Sequence, residues 1–309
     1  MVKIIYLDID GTLRDEHKGI PGSAKWALAQ CRKRKIQVVI CTGRNPGSVQ
    51  NDVLQLQTDG MISGGGCYIQ YHGKEVFKKH FSGKVLKKVL SAVTGRELSL
   101  AMEAENKIYM NHNACVFYRN DFQRKICGSS QTEQNILRIK NRISYEENFE
   151  EIKRDAPDIH KICILGQQDA VGQLEEELKR HVETVQKKKR GYGWYLELLP
   201  KGCDKGSAVK KLNRKLGISR RESMSFGDGE NDIAMMKATG IAVAVGSVSP
   251  LVEIHASSIC EPVMEDGIYK ELLRRNIIHF WEKAERGIEH EETVVAGRGC
   301  LPDISEKFL

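Results

Sequence analysis

Val2-Lys3-Ile4-Ile5-Tyr6-Leu7-Asp8-Ile9-Asp10-Gly11-Thr12 decides the architecture of this 309-residue chain. Its first six residues are a short run rich in Val and Ile that stops at two carboxylates and a glycine. That is the pattern of a buried strand delivering polar residues to a loop. A helical stretch follows, with Ser23 as its expected cap, Trp26, Ala27 and Ala29 as apolar content, and the basic cluster from Arg32 to Lys35 at its C-terminal end, where the helix dipole favours it. Ile36 to Cys41 reads as a second buried strand, cut off by Thr42-Gly43-Arg44. Asn45-Pro46 then looks like a cap followed by proline at the first helical position. Two strand–helix units in so short a span argue for a parallel sheet covered by helices.

The same grammar returns near the end of the chain. Lys205 to Leu216 reads as a helix, Ser223 to Phe226 as a strand, Gly227-Asp228-Gly229-Glu230-Asn231-Asp232 as its loop, and a short helix runs through Lys237 before a strand from Ile241 to Val245. Between Ser82 and Leu199 the texture changes. Helical segments (Val85 to Val93, Ala170 to His181) mix there with strands (Lys107 to Met110, Lys161 to Leu165, Trp194 to Leu199). The expectation is a discontinuous α/β core, residues 1–82 and 200–275, into which an α+β domain of residues 83–199 is inserted. Hinges are expected near Ser82-Gly83 and Leu199-Pro200, and residues 276–309 form an extension of unassigned role.

Composition narrows the class. With 40% hydrophobic and 29% charged residues the chain is ordinary globular material, which excludes a disordered or fibrous protein. No apolar run approaches the length of a membrane span, and Asp8 arrives before a signal-peptide core could form, so a cytoplasmic protein without a membrane partner is expected. The nine cysteines include no CxxC pair, which argues against a zinc site and fits buried thiols in a reducing compartment. Within the net charge of +7, the run Lys187-Lys188-Lys189-Arg190 is read as a solvated turn rather than a nucleic-acid surface. Gly191-Tyr192-Gly193 lacks the rest of a dinucleotide fingerprint. No His shows HExxH spacing, so each is expected at the surface or satisfied in the core. Trp194 and Tyr195, alternating with Leu196 and Leu198, are expected in the core of the inserted domain.

In open parallel sheets reactive groups gather at the carboxyl ends of the strands. Asp8 and Asp10, Thr42, Lys205, and Asp228 and Asp232 all occupy that position or open the adjoining helix. Three carboxylates near one crevice repel one another. A hard divalent cation removes the difficulty, and an oxygen-only donor set suits Mg²⁺. The same cation would screen the repulsion between a carboxylate nucleophile and a phosphate dianion.

These residues resemble the signatures of the haloacid dehalogenase-like phosphatases. Asp8-Ile9-Asp10-Gly11-Thr12-Leu13 looks like their DxDGT motif, Cys41-Thr42-Gly43-Arg44 like their second, Lys205-Gly206 like their third, and Gly227 to Asp232 like the GDGxND form of the fourth. That loop and the large insertion are similar to the Cof-type branch, which has a Rossmann-like core and a type IIB cap. The resemblance covers about residues 1 to 275. It implies that Asp8 attacks phosphorus and becomes an aspartyl-phosphate, and that Asp10 protonates the leaving alkoxide and later deprotonates the attacking water. It also implies that Thr42, Gly43, Lys205 and Asn231 contact phosphate, with Asn231 alternatively orienting Lys205. Mg²⁺ would take Asp8, the backbone carbonyl of Asp10 and Asp228, with Asp232 holding a metal water.

One departure stands out: where Cof-type proteins commonly carry Ser-Asn-Gly-Ala, this chain reads Ser63-Gly64-Gly65-Gly66, so a side-chain amide expected to face the substrate is missing at Gly64. The expected function is Mg²⁺-dependent hydrolysis of small phosphorylated metabolites, sugar phosphates or phosphorylated cofactors. A phosphosugar mutase of the phosphomannomutase kind and a non-catalytic phosphometabolite sensor are the alternatives.

Overall fold

The computed structural model describes residues 1–126, 144–146, 152, 158–189 and 193–279. The stretch 190–192 and the greater part of the 276–309 extension lie outside the described residues. β1 (Ile4–Leu7) is buried along its whole length, and its two faces feed two cores. Ile5 and Leu7 join one apolar cluster and Ile4 and Tyr6 another, so the strand reads as an unbroken apolar run rather than an alternation. α1 (Gly22–Lys33) begins after Pro21, without a side-chain cap. Ser23 lies inside this helix and its hydroxyl donates to Asp266, which corrects its expected role as the cap: a distant acceptor has captured it. β2 (Gln37–Cys41) follows. The Asn45 side chain then caps a short turn, Pro46–Ser48, by accepting from the Ser48 N–H at 2.8 Å, and α2 (Asn51–Leu54) is only four residues long. β3 (Gly60–Ser63), β4 (Tyr68–Tyr71) and β5 (Lys74–Lys78) complete the first half of this sheet.

The chain then builds a second sheet. Its elements are α3 (Gly83–Val93), β6 (Ser99–Glu103), β7 (Lys107–Met110), α4 (His112–Ile126), β8 (Ser144–Glu146), β9 (Lys161–Gly166), α5 (Gln168–Leu178), β10 (Val182–Lys189) and β11 (Gly193–Pro200). Strand order is β10-β11-β9-β6-β7-β8, antiparallel except for β7 with β8. One face, carrying Leu100, Met102, Ile162, Ile164, Leu196 and Leu198, packs with Leu86 and Val89 of α3 and Val171, Leu174 and Leu178 of α5. Trp194 packs against this cluster, and Tyr195, on the other face, packs in a second apolar cluster with Cys163, Ala101 and Ala114, so both belong to the apolar packing of the inserted unit as expected. Lys187 to Lys189 are not a turn. They pair with Tyr195, Trp194 and Gly193 as the end of β10, because the ladder supplies backbone partners that a charge count does not register.

The second half returns to the first sheet with α6 (Lys205–Leu216), β12 (Ser223–Gly227), α7 (Ile233–Ala238), β13 (Ile241–Val245), α8 (Pro250–Glu253), β14 (Ser258–Cys260) and α9 (Gly267–Arg274). The sheet order is β14-β13-β12-β1-β2-β3-β4-β5, parallel from β14 through β3. Helices cover both faces: Ala24, Leu28 and Leu272 on one side, Val209, Leu212 and Met235 on the other. The fold is thus an α/β parallel-sheet core with an inserted α+β unit. Because β12 and β2 flank β1, the loops after all three strands open at one end of the sheet. Among the described residues no helix is long and apolar enough to cross a membrane.

Candidate active site

Asp8 leaves the end of β1 with its N–H bonded to the Phe226 carbonyl of β12 at 3.1 Å. Register therefore sets the Asp8 carboxylate beside the loop that carries Asp228 and Asp232. Ligand-capable oxygens of these three residues all lie within 4.8 Å of one another. Lys205, the first residue of α6, is 3% exposed, and its ammonium donates at 2.6 Å to Asp8 Oδ1 and at 2.6 Å to Asp232 Oδ1. Asp204 fixes that helix start: its side chain accepts from the Ser207 N–H at 2.6 Å and Ser207 Oγ bonds the Asp204 N–H in return.

Asp232 is fully engaged. Oδ1 takes Lys205, and Oδ2 accepts the N–H groups of Asp228 and Gly229 at 3.1 Å each, so this carboxylate folds the loop around itself. Asp228 receives the Thr12 hydroxyl at 2.7 Å and lies against Gly11, where a Cβ would come within 2.5 Å of its Oδ2. With φ at +82° as well, position 11 admits glycine for two separate reasons. Lys205 is oriented by its bonds to Asp8 and Asp232. The Asn231 amide nitrogen sits 3.9 Å from where a Cβ on Gly43 would be, over the loop that follows β2.

The electrostatics follow from this crowding. Burial, reinforced by Asp232, pushes the Asp8 carboxyl up to about 8 even against the nearby Lys205. Burial pushes Asp228 up to about 6 despite the Thr12 hydrogen bond. Burial also opposes the Lys205 charge, but Asp232 and Asp8 outweigh it and hold that ammonium well above its ordinary value. Three carboxylates gathered about one ammonium carry more negative charge than Lys205 alone can neutralise. An oxygen-only set with that excess fits a hard divalent cation. Asp8 and Asp228, whose carboxylates each accept one hydrogen bond among the described residues, have more capacity to hold it than Asp232, which accepts three.

Asp10 points elsewhere. Its carboxylate is gripped by Arg44, Nε to Oδ2 at 2.6 Å and Nη2 to Oδ1 at 2.7 Å, with Gln50 at 3.5 Å. Burial alone would raise this carboxyl, yet the Arg44 bonds and charge hold it below the usual carboxylate range. Arg44 stands inside the Cys41-Thr42-Gly43-Arg44 segment, yet its spacing from Asp10 gives no local sign of the two bonds it makes to that carboxylate. Thr42, 1% exposed, binds the Ile62 carbonyl through its N–H and accepts from the Arg44 N–H at 3.1 Å, so its hydroxyl is held in the crevice.

Gly64 has a physical explanation. A Cβ at this position would lie 2.6 Å from Cδ2 of His160, whose ring stands edge-on to Tyr68 at 4.7 Å between centroids. The imidazole fills the space a side chain at position 64 would need. His160 also corrects the expectation for histidines, because it is fully buried with neither ring nitrogen hydrogen-bonded among the described residues. Burial and the adjoining Lys161 hold it neutral, well below its ordinary pKa.

A buried lysine–carboxylate cluster at the carboxyl ends of a parallel sheet, beneath an inserted second sheet, is the active-site architecture of an α/β enzyme. The family model described as haloacid dehalogenase-like hydrolase matches residues 5–272, and the chain belongs to that family, within its phosphatase branch. An HMP-PP phosphatase of Serratia proteamaculans is 25% identical over 251 residues, covering 81% of this chain and 89% of its own. The subclass IIB sugar phosphatase BT4131 is 25% identical, with TM-score 0.73, over 90% of this chain and all of that structure. BT1666 from Bacteroides thetaiotaomicron shares the fold at TM-score 0.72 and 23% identity, over 90% of this chain and 96% of its own.

Proposed function

We propose that this chain is a Mg²⁺-dependent phosphohydrolase of small phosphorylated metabolites, working through a phosphorylated Asp8. The observation that carries this reading is the buried Asp8 carboxylate held at 2.6 Å by Lys205 and pressed against Asp228 and Asp232. Asp8 and Asp228, with the Asp10 carbonyl, would hold the cation, which when bound supplies charge neutralisation between nucleophile and phosphate. An Asp8 oxygen forms the bond to phosphorus as the ester oxygen leaves with a proton from Asp10. Water then bonds phosphorus, gives its proton to Asp10, and frees Asp8. The ionised Asp10 gripped by Arg44 is the form the second step needs, so the first step requires Arg44 to release it. Lys205, Thr42, the Gly43 N–H and Asn231 would steady the transferring oxygens. The cap is residues 83–199, inserted between core segments 1–82 and 200–275, and the cytoplasm is the proposed location. The sugar phosphatase and HMP-PP phosphatase among the similar proteins support small metabolites as the substrate class.

The test is phosphate release from a panel of phosphorylated metabolites with Mg²⁺, with EDTA, and with Asp8→Asn. Release that EDTA silences and the variant abolishes, with the melting transition retained, is the expected result. Isomerised sugar phosphate without free phosphate would instead establish a mutase, and turnover no faster than the variant a sensor.

A further inference from the structure

We propose that Glu103, Lys161 and Glu197 form the specificity surface of this enzyme, and that they select a neutral, polyhydroxylated leaving group. The inference rests on the phosphohydrolase reading and deepens it. Register puts these three side chains on one face of the second sheet. Glu103 pairs with Lys161 across β6 and β9, and Glu197 with Cys163 across β11 and β9, two residues along. The opposite face packs on α3 and α5, while this one carries a smaller apolar cluster around Ala101, Cys163 and Ala114 beside the three charged residues. Charge on this face is therefore not a by-product of exposure, since Glu103 and Lys161 are 7% and 6% exposed. Ion pairs so deeply buried are retained against a desolvation penalty.

The cluster faces the catalytic loops. Lys161 Nζ donates at 2.7 Å to the carbonyl of Gly43, the residue after Thr42, and lies 3.1 Å from Glu103 Oε1. Glu197 Oε1 is 3.6 Å from where a Cβ on Gly65 would be, and the Gly65 N–H bonds the Thr42 carbonyl. The Ala104 carbonyl, next to Glu103, takes the Asn45 side-chain amide at 3.4 Å. Behind the pair, Tyr195 donates to Cys163 Sγ at 2.8 Å and Cys163 to Glu103 Oε1 at 3.4 Å, which fixes the carboxylate from the rear. With phosphate against Asp8, Thr42 and Lys205, the leaving group extends toward this face.

Its chemistry is selective. A carboxylate 3.1 Å from an ammonium offers an acceptor and a donor side by side, which a hydroxyl matches because it is both at once. Of the three ammonium hydrogens of Lys161, two have partners in Glu103 and Gly43, and a substrate hydroxyl is a fitting third. Two carboxylates and one ammonium sum to one negative charge, so a leaving group carrying a second phosphate or a carboxylate is repelled.

The experiment compares kcat/KM for a hexose 6-phosphate, a hexose 1,6-bisphosphate and p-nitrophenyl phosphate, whose leaving group offers no hydroxyl pair. The wild type should prefer the hexose monophosphate to the bisphosphate. Lys161→Gln and Glu197→Gln should each lower the ratio of hexose monophosphate to p-nitrophenyl phosphate by about tenfold or more. Glu197→Gln, at a half-buried site outside the ion pair, and the charge-neutral double variant Glu103→Gln/Lys161→Met keep the test valid where the single lysine variant does not fold. A ratio unchanged in the folded variants, or a wild type that prefers the bisphosphate, overturns the proposal while leaving hydrolysis intact. No phosphate release from any of the three esters by the wild type overturns the phosphohydrolase reading, and this one with it.

Discussion

Asp8 is placed where its own negative charge is unfavourable, and this gives the metal-free protein a characteristic response to pH. The folded carboxyl, up to about 8, lies above its ordinary value of 3.8, so between those limits the native state holds a proton that the unfolded chain has lost. Native stability must then fall as pH rises toward 8. His160 acts in the opposite sense, because a buried neutral imidazole disfavours the fold wherever the unfolded ring is charged, below about pH 6.5. The clean window is therefore pH 6.5 to 8. In EDTA the melting temperature of the wild type should decline across this window more steeply than that of Asp8→Asn, and Mg²⁺, which binds the ionised form, should stabilise the wild type more at pH 8 than at pH 6.5. Identical slopes for the two proteins in EDTA would show that Asp8 does not titrate there. Glu222, held at about 2 by Lys3, titrates far below the window.

At the scale of elements, what the sequence shows depends on whether the cause is local. Periodicity and punctuation are local, so β13 and α6 emerge at the boundaries read for them, Ile241–Val245 and Lys205–Leu216. The motif residues Asp8, Thr42, Lys205 and Asp228 likewise stand out because each follows a buried strand or opens a helix. Partner choice is not local. Nothing near Ser23 announces Asp266, nothing near Asp10 says that Arg44 will take both its oxygens, and no charge count places Lys187 in a ladder. Gly206 shows the difference well. As the second residue of α6 it is a poor helix former, and only tertiary packing explains it: a Cβ there would lie 2.1 Å from the Ala234 carbonyl of α7. Gly206→Ala should destabilise the protein by about 1–3 kcal/mol and, by shifting Lys205, reduce turnover beyond the loss of folded protein. Gly172 in α5 is the matched control, with nothing within 4 Å of a Cβ, and Gly172→Ala should stabilise by about 0.5–1 kcal/mol. Denaturant melts of the two variants decide the matter, and equal effects would mean that the contact between α6 and α7 imposes no constraint.

Over the whole molecule, each sheet has its own main apolar core, and the two meet along a seam where backbone hydrogen bonds and close-packed glycines stand beside side-chain contacts such as Lys161 with Gly43 and Asn45 with Ala104. The Phe81 N–H bonds the Ile159 carbonyl at 2.7 Å, the Gly47 N–H bonds the Glu105 carbonyl at 3.1 Å, and Cys67 Sγ bonds the His160 carbonyl at 3.4 Å. Into this seam the His160 ring wedges against Gly64, in the space left by a missing side chain. The departure from the family pattern and the unbonded histidine are then two halves of one fitted contact. Backbone conformation does not exclude asparagine from position 64, because φ there is +58°, a region asparagine tolerates. The obstacle is the ring at 2.6 Å. Gly64→Asn alone should therefore destabilise by about 1–3 kcal/mol through overpacking, and His160→Ala alone should destabilise through the cavity it leaves. Combined in one chain the two should offset each other, with a coupling of about 0.5–3 kcal/mol read from urea unfolding of the wild type, both single variants and the double variant. Strictly additive losses would mean that residue 64 and His160 do not share the space, and that the glycine answers to some other demand of the turn.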